Sequence, residues 1–181
     1  MNLKRHTHLL VVLALLVSIP FAFSQQPQPQ TREKLLEAAR DIMETSRYCA
    51  LITIDSSGLA QTRTVDPFKP DEDMLIWLGT NAQSSKVAEI RRNPRVTLYY
   101  SNRDGQEYVS IYGTARLVND PKLKAKLWKE EWKEFYADRE RDYLLIAVTP
   151  EWLEVISIKK GIGGDPKTWK PPSVVFRKRA K

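Results

Sequence analysis

Histidine and cysteine are nearly absent from this sequence of 181 residues. It contains two histidines, His6 and His8, and one cysteine, Cys49. A lone cysteine excludes an intramolecular disulfide and a thiolate metal site. Because both histidines lie in the first eight residues, loss of that segment would exclude Ser-His-Asp and Cys-His catalysis, His-ligated zinc or haem, and a histidine pH switch. The chemistry must then come from carboxylates, Lys, Arg and hydroxyl groups, or from a bound cofactor, and no metal site is predicted.

Long apolar runs are also scarce. The sequence has one, at the start of the chain. Residues 1–24 have the pattern of an export signal, with Lys4 and Arg5 first, an apolar stretch from Leu9 to Phe23, and small residues before position 25. The stretch is shorter than the roughly 20 apolar residues that span a bilayer, although a membrane anchor is the alternative interpretation. The sequence therefore predicts an exported protein, periplasmic or secreted, without a stable membrane span.

Cleavage after residue 24 would leave 157 residues, which is enough for one domain with a hydrophobic core. The signal holds two of the 29 basic residues and no acidic one, so the remainder carries 27 basic and 22 acidic residues, a net charge of +5. We expect residues 25–30 to be a spacer, 31–158 a single domain, and 159–181 a basic C-terminal tail or an arm that reaches a partner subunit.

The order of predicted elements favours a fold that is mainly β with flanking helices. Hydrophobic periodicity, caps and turn residues predict helices over 31–46 and 84–92, and a longer one that begins at Asp120-Pro121 and has apolar positions through Tyr136. Alternating or buried patterns predict strands over 48–55, 59–66, 74–78, 95–101, 107–119, 143–149 and 152–158. Short strands joined mostly as hairpins indicate a split β-barrel of six or more antiparallel strands.

The segment from Gly79 to Lys86 is the most informative candidate binding site. It follows the buried strand that ends at Leu78 and runs into a helix N-terminus, where free amides and the helix dipole attract anions. The hydroxyls of Ser84 and Ser85 and the Lys86 ammonium add donors suited to a phosphate. The alternative is an ordinary capped helix with Ser84 as its cap, and the glycine spacing of a P-loop is missing.

Three further features of the sequence are candidates for ligand contact. Arg63 lies in the middle of a strand, where it either meets an anion such as phosphate or forms a surface salt bridge. Tyr108, Ser110 and Tyr112 share one strand face and line either a cleft or a packed surface. Trp169, in the Gly/Pro-rich tail, either stacks on a flat ligand or anchors the tail.

The charged residues elsewhere do not predict a catalytic pair. Glu130, Glu131 and Glu134 interleave with lysines and are interpreted as a solvated helix face. The basic end of the chain, residues 177–181, could contact nucleic acid or an anionic membrane, but export and a solvated tail are the preferred interpretation, so no nucleic-acid partner is expected.

Five motifs, taken in order and spacing, resemble the pyridoxamine 5′-phosphate oxidase superfamily and its general stress protein 26-like branch. They are Thr62-Arg63-Thr64-Val65, Gly79-Thr80-Asn81, Ser84-Ser85-Lys86-Val87-Ala88-Glu89-Ile90, Asn93-Pro94-Arg95-Val96 and Tyr108-Val109-Ser110-Ile111-Tyr112-Gly113-Thr114-Ala115. Val148-Thr149-Pro150-Glu151 also fits that branch. The similarity covers about 35–158.

The resemblance implies a flavin-binding split barrel that works as a homodimer, with FMN at the subunit interface. Phosphate-binding positions of the family match Arg63, Ser85 and Lys86, and the threonine of its Thr-Asn pair matches Thr80. Backbone groups around Val65 and from Leu78 through Gly79 to Thr80 would face the flavin ring, and Thr64 is a further cofactor-binding candidate. Tyr108 stands where the oxidases have a glutamine near the flavin.

Two departures from the oxidase pattern bear on activity. Asp66-Pro67-Phe68 replaces the segment in which the oxidases carry a lysine, and the Arg-x-His substrate motif is missing. Oxidation of pyridoxamine phosphate is therefore not expected. The sequence leaves two functions open, an FMN-dependent oxidoreductase of unknown substrate and a non-catalytic module that binds flavin or deazaflavin, with FAD as a further cofactor option. A scaffold whose cleft has decayed is a third.

Overall fold

The computed structural model describes residues 30–176, and the predicted signal peptide, most of the spacer and the last five residues lie outside that range. The helices are α1 (Arg32–Ser46), α2 (Ser85–Arg92), α3 (Pro121–Lys126) and α4 (Arg139–Asp142), with 3-10 turns at Glu130–Phe135 and Ile158–Lys160. The strands are β1 (Cys49–Ile54), β2 (Ala60–Val65), β3 (Ile76–Asn81), β4 (Arg95–Ser101), β5 (Glu107–Val118), β6 (Tyr143–Ser157) and β7 (Ser173–Val175).

The strands form one antiparallel sheet that curls into a half-barrel, in the order β2-β1-β4-β5-β6-β3. Pro67 forms a bridge with Leu78, and the amide of Phe68 donates to the carbonyl of Trp77 at 2.9 Å. These contacts bring the chain that leaves β2 against β3, so the two outer strands of the sheet meet. The fold is the mainly β split barrel that the order of elements predicts, and it places the segments after Arg63 and before Thr80 side by side.

Two helices cover the barrel interior. Thr31 caps α1, its hydroxyl accepting from the amide of Lys34 at 3.3 Å, and the apolar positions of α1 repeat with the helical period because that face packs on the core. The buried positions are Leu35, Ala38, Ala39, Ile42 and Met43. On α2, Val87 and Ile90 face inward in the same way. Burial of these faces, rather than intrinsic propensity, stabilises both short helices.

The predicted long helix after Asp120 is wrong, since the chain forms α3, a 3-10 turn and α4 instead. The hydroxyl of Tyr143 donates to the carbonyl of Leu127, which removes that carbonyl from a helical ladder. Lys129 is extended, and its ammonium lies 2.8 Å from Asp66 Oδ1. The aromatic residues of the predicted stripe still pack together, with rings of Trp128 and Tyr136 edge-on at 5.8 Å.

The last strands also differ from the prediction. One strand of 15 residues, β6, replaces the two predicted strands, because the register shifts between Tyr112 and Gly113 and lets Pro150 remain in the ladder. A Cβ on Gly113 would lie 2.3 Å from the carbonyl oxygen of Thr149, so only glycine allows this approach. The strand β7, which no periodicity indicated, pairs with residues Trp152–Glu154 of β6.

The third strand begins and ends later than predicted. Met74 has φ +63°, which a strand does not adopt, so it precedes β3 instead of opening it. Gly79, Thr80 and Asn81, predicted as a loop, continue β3 because they pair with Leu145, Leu144 and Tyr143 of β6. The loop before α2 is therefore only three residues long, Ala82–Ser84, and it holds the helix start close to the strand.

Candidate functional site

Arg63 lies at the centre of a polar group inside the edge of the barrel. It faces the barrel interior because it pairs with Leu51, a buried residue of β1, and paired residues share a face. Its guanidinium donates to Thr53 Oγ1 at 2.5 Å and lies 3.0 Å from Glu89 Oε2. The side chain is about one-fifth exposed, so it keeps some access to solvent.

The start of α2 supplies the second part of this polar group. Lys86 Nζ donates to Thr80 Oγ1 at 3.1 Å, and the hydroxyls of Thr80 and Ser84 lie 3.1 Å apart. Ser84 is the N-cap residue, yet its hydroxyl makes no hydrogen bond to the helix backbone. The positive end of the α2 dipole, with Ser85 as its first residue, therefore has no side-chain cap, and the hydroxyl that would provide one points to Thr80 instead.

The two cations lie close enough to influence each other. Burial is the main cause that lowers the pKa of Lys86, and the charge of Arg63 lowers it further while Glu89 acts in the opposite direction. A site that places two cations, two hydroxyls and a helix N-terminus together favours an anion with several oxygen acceptors. We name the residues Thr53, Arg63, Thr80, Ser84, Lys86 and Glu89 the basic cluster. Its donors fit a phosphate group.

Four of the predicted residues lie on β2 and β3, the strands that carry Arg63 and Thr80 of this cluster. Val65 is half-buried and Thr64 is exposed on the opposite face of β2, while Leu78 is buried in the core. Gly79 lies under an aromatic cover, since a Cβ there would come 2.5 Å from the ring of Trp132. The bridge between Pro67 and Leu78 holds these two strand ends together, although none of the four contributes a polar side chain to the basic cluster.

Tyr108 and Trp169 do not join the basic cluster among residues 30–176. The ring of Tyr108 lies 5.7 Å from that of Tyr99 on the outer face of the sheet. Burial raises the pKa of Tyr108, with smaller contributions from Glu154, Tyr99 and Tyr112. Trp169 has φ +60° in the turn that Asp165 caps, and its side chain is 85% exposed. Both residues face outward, away from the barrel interior.

Thr53 and Glu89 are members of the cluster that the sequence analysis missed. Thr53 is fully buried and lies on the core-facing alternation of β1, where a polar residue signals a hydrogen-bonding partner. Glu89 is 6% exposed and lies one position before Ile90 on the buried face of α2. An acidic residue within an apolar helix stripe was the available signal, because such a group is buried only when it is paired.

A cavity of about 390 Å³ lies beyond the end of β2. It is lined by Arg40, Met43, Glu44, Arg47, Asp66, Pro67, Phe68, Lys69, Pro70, Tyr100 and Lys129. The ammonium of Lys129 lies over the rings of Phe68 and Trp132, at 4.9 and 5.0 Å from their centroids. Asp66, Pro67 and Phe68 of this lining follow β2, the strand that carries Arg63. The cavity can accept a small molecule with an apolar body.

Other kinds of site receive no support from residues 30–176. No group of three or more His, Cys, Asp or Glu side chains there is arranged to hold a metal ion. Within the same range, no helix combines the length and apolar character needed to cross a membrane.

Comparison with known proteins identifies the family. The family model described as "Pyridoxamine 5'-phosphate oxidase like" matches residues 31–159. General stress protein 26 of Bacillus subtilis is 24% identical over 134 residues, which cover 72% of this chain and 91% of that protein. The family-model match spans strands β1 to β6 and both parts of the basic cluster.

Solved structures share the fold. A protein related to general stress protein 26 from Clostridium acetobutylicum superposes with a TM-score of 0.67 at 20% identity, covering 81% of this chain and 97% of that one. A pyridoxamine 5′-phosphate oxidase-related, FMN binding protein from Nostoc punctiforme has a TM-score of 0.57 at 14% identity, covering 81% and 97%. The chain belongs to the pyridoxamine 5′-phosphate oxidase like family, in its general stress protein 26-like branch.

Proposed function

We propose that this protein binds a flavin, FMN, with the phosphate held in the basic cluster, and that it is an FMN-dependent oxidoreductase. The observation that carries the proposal is the convergence of Arg63, Lys86 and an uncapped helix N-terminus on one point at the edge of the barrel. The structural relative from Nostoc punctiforme is described as FMN binding, which supports the same cofactor here.

Each residue of the cluster has a part in this proposal. Arg63 and Lys86 neutralise the phosphate, and Thr80 and Ser84 donate hydroxyl hydrogen bonds to it. The bound flavin supplies hydride chemistry, which side chains cannot provide. The chain supplies position and electrostatics, with backbone groups of Val65 and Leu78 beside the ring and the cavity past Phe68 as the place for a substrate.

Removal of the Lys86 charge tests the proposal, because the ion pair of the cluster joins Glu89 to Arg63 and not to Lys86. Lys86→Gln should weaken FMN binding about tenfold or more, since a hydrogen bond to a charged group is worth about 1.5–3 kcal/mol. Quenching of flavin fluorescence measures the dissociation constant, and Arg92→Gln, at the exposed end of the same helix, is the matched control. Riboflavin, which has no phosphate, should bind both variants equally. Equal FMN affinity in Lys86→Gln and Arg92→Gln would contradict the phosphate assignment.

A non-catalytic flavin-binding module is the second candidate. It is favoured by Phe68, which stands in the segment where the oxidases carry a lysine, and by the absence of histidine from residues 9–181. The same phosphate geometry suits FAD or a deazaflavin, and one structure of this fold, at TM-score 0.51 and 20% identity, is an F420 reductase. Stopped-flow reduction of the loaded protein by NADH or NADPH separates the candidates, because rapid reduction followed by reoxidation supports an oxidoreductase and no reduction supports a module.

We also propose that the protein is a homodimer with the flavin at the subunit interface. The outer face of the sheet carries half-buried and exposed aromatic residues, including Tyr99 at 39% exposure and Tyr112 stacked on Trp152 at 3.8 Å. Register places Thr64 and Tyr99 on either side of Ala50, so this face reaches β2. Aromatic residues are enriched at protein interfaces, which supports this assignment.

Export is proposed from residues 1–24, whose charged start and apolar stretch have the pattern of a signal peptide. Expression of the full chain in a bacterial host, followed by intact mass measurement of the extracytoplasmic fraction, tests it. A mature chain that begins near residue 25 supports export. A full-length chain confined to the cytoplasmic fraction contradicts it.

A further inference from the structure

The basic cluster contains an acidic residue that a phosphate site does not need. Glu89 lies on α2, three residues after Lys86, and is 6% exposed. Burial of a carboxylate is costly unless it is paired and hydrogen-bonded. Its presence beside the two cations therefore requires an explanation from its contacts.

The contacts of Glu89 form a closed arrangement with β1 and β2. One carboxylate oxygen lies 3.0 Å from Arg63 Nη2 and accepts a hydrogen bond from the hydroxyl of Thr53. The other oxygen accepts from the same guanidinium nitrogen at 3.3 Å. Arg63 Nη1 donates to Thr53 Oγ1 at 2.5 Å. The carboxylate thus fixes the guanidinium in place and offsets its charge before any ligand arrives.

Three ionisable side chains set the net charge of the basic cluster. Arg63 and Lys86 each contribute one positive charge and Glu89 one negative charge, which leaves a net charge of +1. A phosphomonoester such as that of FMN carries about −1.5 to −2 at pH 7. A phosphodiester carries one negative charge, so it alone balances the cluster.

We infer that Glu89 is a specificity-determining residue that lowers the preference of the site for a doubly charged phosphomonoester relative to a singly charged phosphodiester. The inference rests on the proposed flavin function and names the charge of phosphate that the site accepts. FMN presents a monoester, whereas the ribityl phosphate of FAD is joined to the AMP phosphate, so it carries one negative charge itself and the second charge lies on the neighbouring phosphate. Glu89 therefore narrows the difference in affinity between these two flavins.

The test measures FMN, FAD and riboflavin binding to the wild type and to Glu89→Gln by fluorescence quenching. Glutamine keeps the shape and an acceptor oxygen but removes the charge. The FMN dissociation constant should fall about tenfold, that of FAD clearly less, and that of riboflavin not at all, since a lost charge acts on phosphate alone. Glu130→Gln, on the exposed 3-10 turn, is the matched control.

A merely structural role for Glu89 makes the opposite prediction. Loss of its hydrogen bonds would then loosen Arg63 and weaken FMN and FAD together. That result, or an FMN to FAD ratio equal to the wild type, overturns the inference while flavin binding by the wild type keeps the proposed function intact.

A second pair of variants decides the matter if Glu89→Gln does not fold, since Arg63 would be left unpaired in a mostly buried position. Arg63→Gln and the double variant Arg63→Gln, Glu89→Gln differ by the same single charge. The double variant should show the higher FMN to FAD affinity ratio, and equal ratios overturn the inference.

A probe without flavin distinguishes failure of this inference from failure of the proposed function. If no flavin binds the wild type, the proposed function fails, and thermal unfolding with inorganic phosphate and with dimethyl phosphate tests Glu89 alone. At pH 8, Glu89→Gln should gain more stabilisation from inorganic phosphate than from dimethyl phosphate, relative to wild type. Equal gains from both anions overturn the inference.

Discussion

At the scale of single residues, Gly79 shows how closely the aromatic cover lies on β3. A Cβ at this position would come 2.5 Å from the ring of Trp132 and 2.7 Å from that of Tyr143. Gly79→Ala should therefore lower the free energy of unfolding by about 1–3 kcal/mol through overpacking. Urea denaturation measures the change. Gly163→Ala, where a Cβ meets no atom within 4 Å, is the control, and equal stability of the two variants would contradict the packing.

Cys49 provides a pH prediction at the same scale. Burial raises the pKa of its thiol from 9.0 to about 12, against an opposite effect of Tyr100, and the charge of Asp66 raises it further. In the unfolded chain the thiol loses its proton first, so the unfolded state binds fewer protons and stability falls as pH rises above 9. Between pH 9 and 10, below the ordinary pKa of tyrosine, Cys49→Ala should show a smaller loss of stability than the wild type, as measured by urea denaturation at each pH.

Reagents that modify thiols provide an independent readout for Cys49. The folded protein at pH 8 should react with a disulfide reagent only on the timescale of unfolding, because the thiol is 4% exposed and protonated. Fast reaction in the native state, or an unchanged pH slope in Cys49→Ala, would contradict the burial of this side chain.

Residues of the basic cluster differ in how far the sequence could predict them. Thr80, Ser84 and Lys86 could be predicted together because capping and helix-dipole rules act over neighbouring residues. Arg63 could be singled out from its strand alternation, but its partner could not. Glu89 and Thr53 are 36 residues apart, so their contact depends on how α2 packs against β1, which local patterns do not specify.

At the scale of elements, β7 is the strand that the sequence did not indicate. It has three residues, and its middle side chain, Val174, is 3% exposed beside Leu153 while Val175 is 71% exposed. Val174→Asp should lower the free energy of unfolding by about 3 kcal/mol or more because it buries an unpaired charge. Val175→Asp is the matched control and should change stability little. Equal midpoints of thermal unfolding would show that β7 does not pack on β6.

The bounds of helices and strands were predicted correctly where they depend on neighbouring residues, and wrongly where they depend on the packing of aromatic side chains. The bounds of α1, α2 and the two hairpins follow caps, turns and alternation that lie within a few residues. After Asp120 the apolar residues follow the helical period, but the chain is not one helix. There Trp128 packs edge-on against both Trp132 and Tyr143, and Trp132 lies tilted against Tyr143. The strand predicted over 143–149 continues through Pro150, which local patterns did not indicate because Gly113, which accommodates it, is 37 residues away in the sequence.

At the scale of the whole molecule, the outer face of the sheet, which carries Tyr99, is the proposed interface of the homodimer. Tyr99→Arg places a charge in the middle of the proposed interface, so it should convert a dimer to a monomer without unfolding the barrel. Light scattering coupled to gel filtration gives the mass. Arg103→Glu, in the turn between β4 and β5, is a control that should remain dimeric. A monomeric wild type would contradict the proposed homodimer.

Native mass spectrometry of the protein mixed with FMN examines the flavin phosphate site and the assembly in one experiment, since it reports subunit number and bound ligand together. We expect a dimer that retains two FMN molecules, and a Lys86→Gln variant that retains fewer under the same conditions. A wild-type protein that remains free of FMN at saturating concentration would contradict the assignment of the basic cluster as a flavin phosphate site.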